Sequence, residues 1–567
     1  MTRSTRFMLL AWCALLVTLV STPLLTAAAA EQPTNVQTYM VPMSDGARLA
    51  TDVREGKGEG PWPVILLRTP YGKKSTMGGL EDYAIVTQDC RGRFDSEGRA
   101  RPFFDDGWGE HQDGLDTVKW LLAQPWCNGK IGTAGASALG ITQNMLAGAN
   151  PPGVSAQSII VASGSMYHHG VYPGGCFEEN LMAGWLKETK WPDDNLKLML
   201  EHPFYDALWE TVNADARIRE LRVNIPAIHI GGWFDIFTQG TLDSFMTRSR
   251  IRPNQWLIMG PWPHGIKREV GELTFPANAI EIPKPATDAS LWFDYWLRGK
   301  DTGLQSLPRV HYYLMGACGE EGAPGNEWRS AESWPIPARS TPFYLAPERT
   351  LMEGTPPAAG ELTYEYNPKN PVPTRGGGNL LLPAGPMDQR EVENRNDVLT
   401  FTTLPLVGPL EVVGRVTVRL YASSSARDTM FTAKLCDVYP GGAGAAPEMR
   451  QSRIQGAVPE MQQRGIQEGR SMLLCDGALR AACRESFSKP SPLEPGRMYE
   501  FVVDLGSTAI IFNRGHRIRV DISSSNYPHF AVHPNVWGAG APRAARQTVY
   551  YGGDHPSAVM LRVVPRK

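Results

Sequence analysis

Gly132-Thr133-Ala134-Gly135-Ala136-Ser137-Ala138-Leu139-Gly140 is the stretch on which the fold of this 567-residue chain turns. Before it runs GKIGTAG (129–135), which reads as a strand, and from its end runs ALGITQNMLAGA (138–149), which reads as a helix. A serine at such a junction sits on a tight turn with its hydroxyl exposed, and small neighbours tolerate the strained backbone. The first N–H groups of the following helix point at any negative charge that develops there. The usual elbow reads G-x-S-x-G, whereas here the second glycine comes one place late, at Gly140. Alone the motif is weak, because small-residue strand–helix turns are common. Its meaning depends on what surrounds it.

Upstream, PVILLRT (63–69) and AIVTQD (84–89) are apolar runs of strand length, each ending in a glycine-containing loop, PYGKK and CRGRFDSEG. Between them and the elbow, residues 112–125 place Leu115, Val118, Leu121 and Leu122 at helical spacing, and Pro125 closes the segment. Strands alternating with helices predict a mostly parallel sheet covered on both faces. Residues 166–221 have no strand-length apolar run and read as a tryptophan-rich helical cap. The sheet resumes with IPAIHIGGW (225–233) and QWLIMGPW (255–262); 286–298 suggest a helix, and RVHYYLMG (309–316) a last strand. Beyond about 340 come short alternating segments, such as RVTVRLYASS with Val416, Val418 and Leu420 on one face. Many short strands with turn signals predict an antiparallel jelly roll. The predicted architecture is an α/β sheet in two parts (31–165 and 222–339), the inserted cap (166–221) and a C-terminal all-β domain (340–567).

A catalytic serine needs a base, and the base needs an orienting carboxylate. Asp235 follows one predicted strand in GGWFD, and His264 follows the next in GPWPHG. Both lie just past apolar strands, where open α/β sheets place their sites. Singly, an aspartate there is as readily a helix cap and a histidine a solvated loop residue. Three groups in the order Ser, acid, His reverse that reading. His229 lies inside a predicted strand and reads as a core residue. His516, His529, His533 and His555 belong to the β-rich tail, and His111, His168 and His169 precede the acid.

Lys and Arg number 56 against 58 Asp and Glu, a net charge of −2, which argues against nucleic acid or an anionic membrane as partner. Arg3 and Arg6, an apolar run from Phe7 to Val20 and the small-residue exit Ala28-Ala29-Ala30 have the layout of a secretory signal (1–30), which predicts export to periplasm or medium. Cleavage leaves seven of eight cysteines, so at least one is unpaired; Cys475 and Cys483 are close enough in sequence to be a candidate bridge. No C-x-x-C or H-E-x-x-H spacing supports a metal, and no cofactor is expected.

MVPMSDGARLATDV (40–53), RTPYGK (68–73), QDCRGRFDSEG (88–98), DGLDTVKWL (113–121), WCNGKIGTAGASALGITQ (126–143), GGWFD (231–235), GPWPHG (260–265) and FNRGHRIRVDISSSNYP (512–528) together resemble the cocaine esterase and X-Pro dipeptidyl-peptidase group of serine hydrolases. The resemblance implies an α/β-hydrolase domain, a jelly roll, and a triad of Ser137, Asp235 and His264. It also implies an oxyanion hole made by the Tyr71 hydroxyl and the Ala138 N–H; without it Tyr71 would read as a turn residue after Pro70. The chain departs from the group in having Ala138 where a tyrosine is usual, Met430 in Asp428-Thr429-Met430-Phe431, and Phe237 and Thr238 where α-amino acid ester hydrolases carry ammonium-binding acids. Phe237 resembles an acyl-pocket wall, and Trp185 reads equally as a second wall or as cap core. The expected activity is cleavage of a small-molecule ester or amide, with an ester preferred. The alternatives are an X-Pro peptidase, an amide or β-lactam acylase, an acyltransferase, or a binding protein that has lost catalysis; a homo-oligomer is compatible with any of them.

Overall fold

The structure, a computed structural model, describes residues 36–74, 77, 79–441 and 469–565. The signal-peptide expectation and Cys13 lie outside them. A ten-stranded sheet runs in the order β1 (Val36–Pro42), β2 (Arg48–Arg54), β4 (Ala84–Asp89), β3 (Trp62–Thr69), β5 (Cys127–Ala136), β6 (Val154–Ile160), β7 (Ala227–Gly232), β8 (Gln255–Gly260), β11 (Val310–Leu314), β12 (Glu327–Ala331). A two-stranded ribbon, β9 (Glu269–Val270) and β10 (Leu273–Thr274), stands apart. From β4 to β11 every neighbour pair is parallel, and the outer pairs are antiparallel.

β3, β4, β7 and β8 are buried at nearly every position, on both faces, which is why they read as largely apolar runs. Along β3, Val64 and Leu66 join one core with Val118, Leu121, Ile141 and Met145 of helices Asp113–Leu122 and Ala138–Gly148. Ile65 and Leu67 join the opposite core with Trp292, Phe293 and Leu297. Those three lie in 286–298, a short helix Ala289–Phe293 running into a π turn Asp294–Arg298. β1, β2, β6 and β12 are strands that the sequence reading does not name; EWRSA of β12, for one, is a half-exposed, charged edge strand without an apolar run.

Between β6 and β7 stand helices Glu179–Glu188, Asp194–Glu201, Ala207–Glu210 and Ala214–Leu221. After β12 the described residues are mainly β, with a short helix at Arg390–Glu393: eleven strands, mostly antiparallel, wrap one large core. Val416, Val418 and Leu420 are each fully buried in it, as their alternation predicts. This β domain touches the α/β part where Met315, just past β11, bridges Ile510, and where Ser507 donates to Gln239 of the helix Thr238–Ser249 at 2.8 Å.

Cys475 and Cys483 are not bonded, and all seven described cysteines are free. Cys475 lies within the strand Ser471–Arg480, which carries the chain away at about 3.3 Å per residue before the turn that holds Cys483.

Candidate active site

Ser137 stands between β5 and the helix Ala138–Gly148 with φ 57° and ψ −124°, a left-handed backbone rare for a residue with a side chain. Its N–H donates to Ile160 O at 2.9 Å, tying the turn to β6. Its carbonyl accepts from Gly140 and Ile141 at 2.8 and 2.9 Å, so the helix starts immediately. Ala138 is the first helical residue, and its N–H has no acceptor one turn back. The late glycine has a packing reason: a Cβ on Gly140 would lie 2.5 Å from the Ala162 side chain and 3.1 Å from Ile160 O.

The acid and the imidazole come from the loops after β7 and β8, and backbone bonds stitch those loops together. Trp233 N–H donates to Gly260 O at 2.9 Å, and Phe234 N–H to Trp262 O at 3.0 Å. Asp235 follows; Oδ1 accepts the Phe237 N–H at 2.7 Å and Oδ2 faces His264 Nδ1 at 2.5 Å. His264 Nε2 lies 2.8 Å from Ser137 Oγ. A turn closed by Gly265 N–H on Pro263 O at 2.7 Å presents the imidazole. The ionised carboxylate only accepts, so Nδ1 carries the ring proton and Nε2 is left to accept from the serine. The Asp235 side chain is fully buried and that of His264 is 7% exposed, so water competes for neither bond. The Phe237 ring packs edge-on to the imidazole, centroids 5.8 Å apart, and thus braces His264.

Tyr71 lies on the loop after β3, held by its N–H on Thr69 Oγ1 at 3.0 Å. Its hydroxyl accepts the Trp185 indole N–H at 3.0 Å and lies against Ser137. Burial lifts the phenol to about 12, against the lowering effect of those two hydrogen-bonding neighbours, so it stays a proton donor. From helix Glu179–Glu188 Trp185 reaches Tyr71, while its ring stacks on Phe103 at 5.9 Å and meets Trp191 at 5.5 Å. Leu380, from a loop of the β domain, packs into the same cluster as Phe237, Trp185 and Tyr71. Nothing in its local sequence marks it.

Sequence reading also missed the charged network beneath these loops. Arg68 pairs with Asp106 at 2.5 Å, and Arg91 grips Asp113 at 2.6 Å and Asp45 at 2.7 Å. The Arg91 guanidinium, by hydrogen bonding, pulls the Asp45 carboxyl down to about 2. The only available signal was charge placed at the ends of apolar strands. Glu393, Cys436 and Asp521 come together in the β domain, but Glu393 is paired with Arg519 at 2.6 Å and Lys434 adds a second cation, so the group is an ion-pair network. A cleft of about 350 Å³ between cap and β domain is lined by Asp235, Asp243 and Arg415; Ser137, Tyr71 and His264 are not part of its wall.

β5, β7 and β8 are parallel, and their carboxyl ends deliver serine, carboxylate and imidazole to one edge of the sheet. That is the plan of the α/β-hydrolases, and the chain is a hydrolase of this fold with an added β domain. The profile of the X-Pro dipeptidyl-peptidase (S15) family matches residues 45–195 and 186–266, and that of the X-Pro dipeptidyl-peptidase C-terminal non-catalytic domain matches 302–560. A cocaine esterase from Rhodococcus sp. is 32% identical over 93% of this chain and 98% of its own length. An α-amino acid ester hydrolase superposes with a TM-score of 0.75 at 25% identity, covering 96% of this chain and 99% of the other. An aminopeptidase from a marine sediment archaeon shares the fold, with a TM-score of 0.76 at 23% identity over 95% and 99%. The chain belongs to the family of cocaine esterase and the X-Pro dipeptidyl-peptidases.

Proposed function

We propose that the protein is an exported serine esterase acting on a small-molecule ester through an acyl-enzyme. One observation carries the catalytic part of this reading: a single imidazole, His264, spans Asp235 at 2.5 Å and Ser137 at 2.8 Å. Ser137 attacks the acyl carbon while His264 takes its proton, then returns it to the departing alcohol. Asp235 holds the imidazole in the required tautomer. The Tyr71 O–H and the Ala138 N–H receive the oxyanion, and water then releases the acid by the same steps. Every proton in the cycle moves between groups of this chain, substrate and water.

The ester preference rests on Phe237 and Thr238. They put an aromatic ring and a hydroxyl where an α-amino acyl substrate would need carboxylates, and Phe237 and Leu380 share one buried apolar cluster. The cocaine esterase relative acts, by its name, on an ester. Export rests on the sequence from Arg3 to Ala30. Among the described residues no helix is long and apolar enough to cross a membrane.

The test is labelling by a fluorophosphonate, followed by assay of p-nitrophenyl esters beside X-Pro and β-lactam amides. Wild type should label and cleave esters faster than amides, and Ser137→Ala should do neither. An unlabelled wild type, or equal turnover by Ser137→Ala, would remove the serine mechanism; faster cleavage of X-Pro amides would replace the esterase by a peptidase.

A further inference from the structure

We infer that Trp185 is a positioning residue: its indole N–H, 3.0 Å from the Tyr71 hydroxyl, fixes the direction in which that phenol offers its proton to the reacting acyl group. The inference rests on the serine-hydrolase reading and assigns to a cap residue a task in the oxyanion hole.

Donors and acceptors alternate along a chain of side chains from Trp185 to Asp235. An indole N–H only donates, and an ionised carboxylate only accepts. Between these two ends lie three groups that can each do both: the phenol of Tyr71, the hydroxyl of Ser137 and the imidazole of His264. Asp235 accepts from His264 Nδ1, so Nε2 must accept, and Ser137 directs its proton to Nε2 over 2.8 Å. At the other end, Trp185 fills an acceptor position on the Tyr71 oxygen. The phenol proton must therefore point away from Trp185, toward the Ser137 side where the carbonyl oxygen of the substrate arrives. With the indole donor absent, the same hydroxyl could turn about its C–O bond and donate elsewhere. A donor aimed beforehand needs no reorganisation as the charge forms, and a bond accepted by the phenol oxygen strengthens the one it donates.

The surroundings hold Trp185 for this purpose. Phe103 stacks on the ring at 5.9 Å with planes 10° apart, and Trp191 packs at 5.5 Å. Arg93 ties the two partners' loops together: it donates to Pro70 O at 3.1 Å, the residue before Tyr71, and to Thr189 O at 2.6 Å and Lys190 O at 3.0 Å, just past the helix that carries Trp185. Its guanidinium also lies 4.5 Å over the Trp191 ring. The oxyanion hole is in this sense completed by the cap, which supplies the group that orients its side-chain donor.

Trp185→Phe keeps a flat apolar wall and deletes only the N–H. Ester hydrolysis should lose about tenfold in kcat, the worth of one neutral hydrogen bond, with KM nearly unchanged. Tyr71→Phe should lose about 100- to 1,000-fold, as for removal of one oxyanion donor. Adding Trp185→Phe to Tyr71→Phe should then cost nothing more in kcat, because no hydroxyl remains to orient. A pocket-wall role predicts the opposite pattern: KM rises, kcat holds, and the two changes multiply. That pattern, or an unchanged kcat in a folded Trp185→Phe, overturns the inference. Ser137→Ala as active as wild type would instead defeat the serine mechanism itself.

Discussion

Asp235→Asn tests the catalytic geometry more severely than deletion of the serine, because it keeps the shape while exchanging one acceptor oxygen and its charge for an NH2 donor. Asp235 Oδ1 accepts the Phe237 N–H at 2.7 Å, and Oδ2 accepts from His264 Nδ1 at 2.5 Å. An asparagine must satisfy the same two neighbours with one oxygen and one NH2. The Phe237 N–H can only donate, so the amide oxygen goes there and the NH2 faces His264. His264 must then accept at Nδ1 and carry its proton on Nε2, which points a hydrogen at the Ser137 Oγ it should deprotonate. The wrong tautomer costs about 10,000-fold in kcat in enzymes of this type, or about 5.4 kcal/mol at 1.36 kcal/mol per factor of ten. The assay is steady-state p-nitrophenyl ester hydrolysis, with melting temperature and fluorophosphonate labelling as controls. Melting should hardly change and labelling should slow with kcat. A folded Asp235→Asn within tenfold of wild type would refute the argument that this carboxylate sets the imidazole tautomer.

Two further outcomes follow from the same framework. Gly232→Ala places a Cβ 2.2 Å from Trp262 O, a backbone atom of the loop leading to His264; the strain should cost about 1–3 kcal/mol of stability and lower kcat by displacing the imidazole. Unchanged melting and turnover would show that this loop yields freely. His516 is buried between Asp437 at 2.8 Å and Glu320 at 2.9 Å, so that burial opposes its charge but the two carboxylates outweigh it and its pKa is raised. A raised folded pKa means the contribution is complete below the unfolded value of about 6.5 and fades as pH climbs through the folded value. The melting gap between wild type and His516→Gln should therefore be widest near pH ~6 and narrow on the alkaline side; a gap that widens with pH would reverse the assignment.

Local pattern reached most of the parallel sheet because strands such as β3 and β4 are buried on both faces, so the run PVILL in β3 is apolar at successive positions; it gave no sign of β6, whose VSAQSII mixes serine and glutamine among its apolar residues. It also singled out Ser137, Asp235 and His264, which stand at or within a few residues of the carboxyl ends of β5, β7 and β8, in the chain order of those strands. It failed for β12, whose exposed edge carries no apolar run, and for the supposed Cys475–Cys483 bridge, since nearness along a strand is distance in space. Tertiary structure alone decided what Trp185 and Leu380 touch, and why Arg68, Arg91 and Arg93 stand where they do. Those contacts join segments up to hundreds of residues apart, and nothing in either segment's own sequence encodes its partner: a hydrogen bond from a cap helix to a loop after β3 exists only once the sheet has brought both to the same edge.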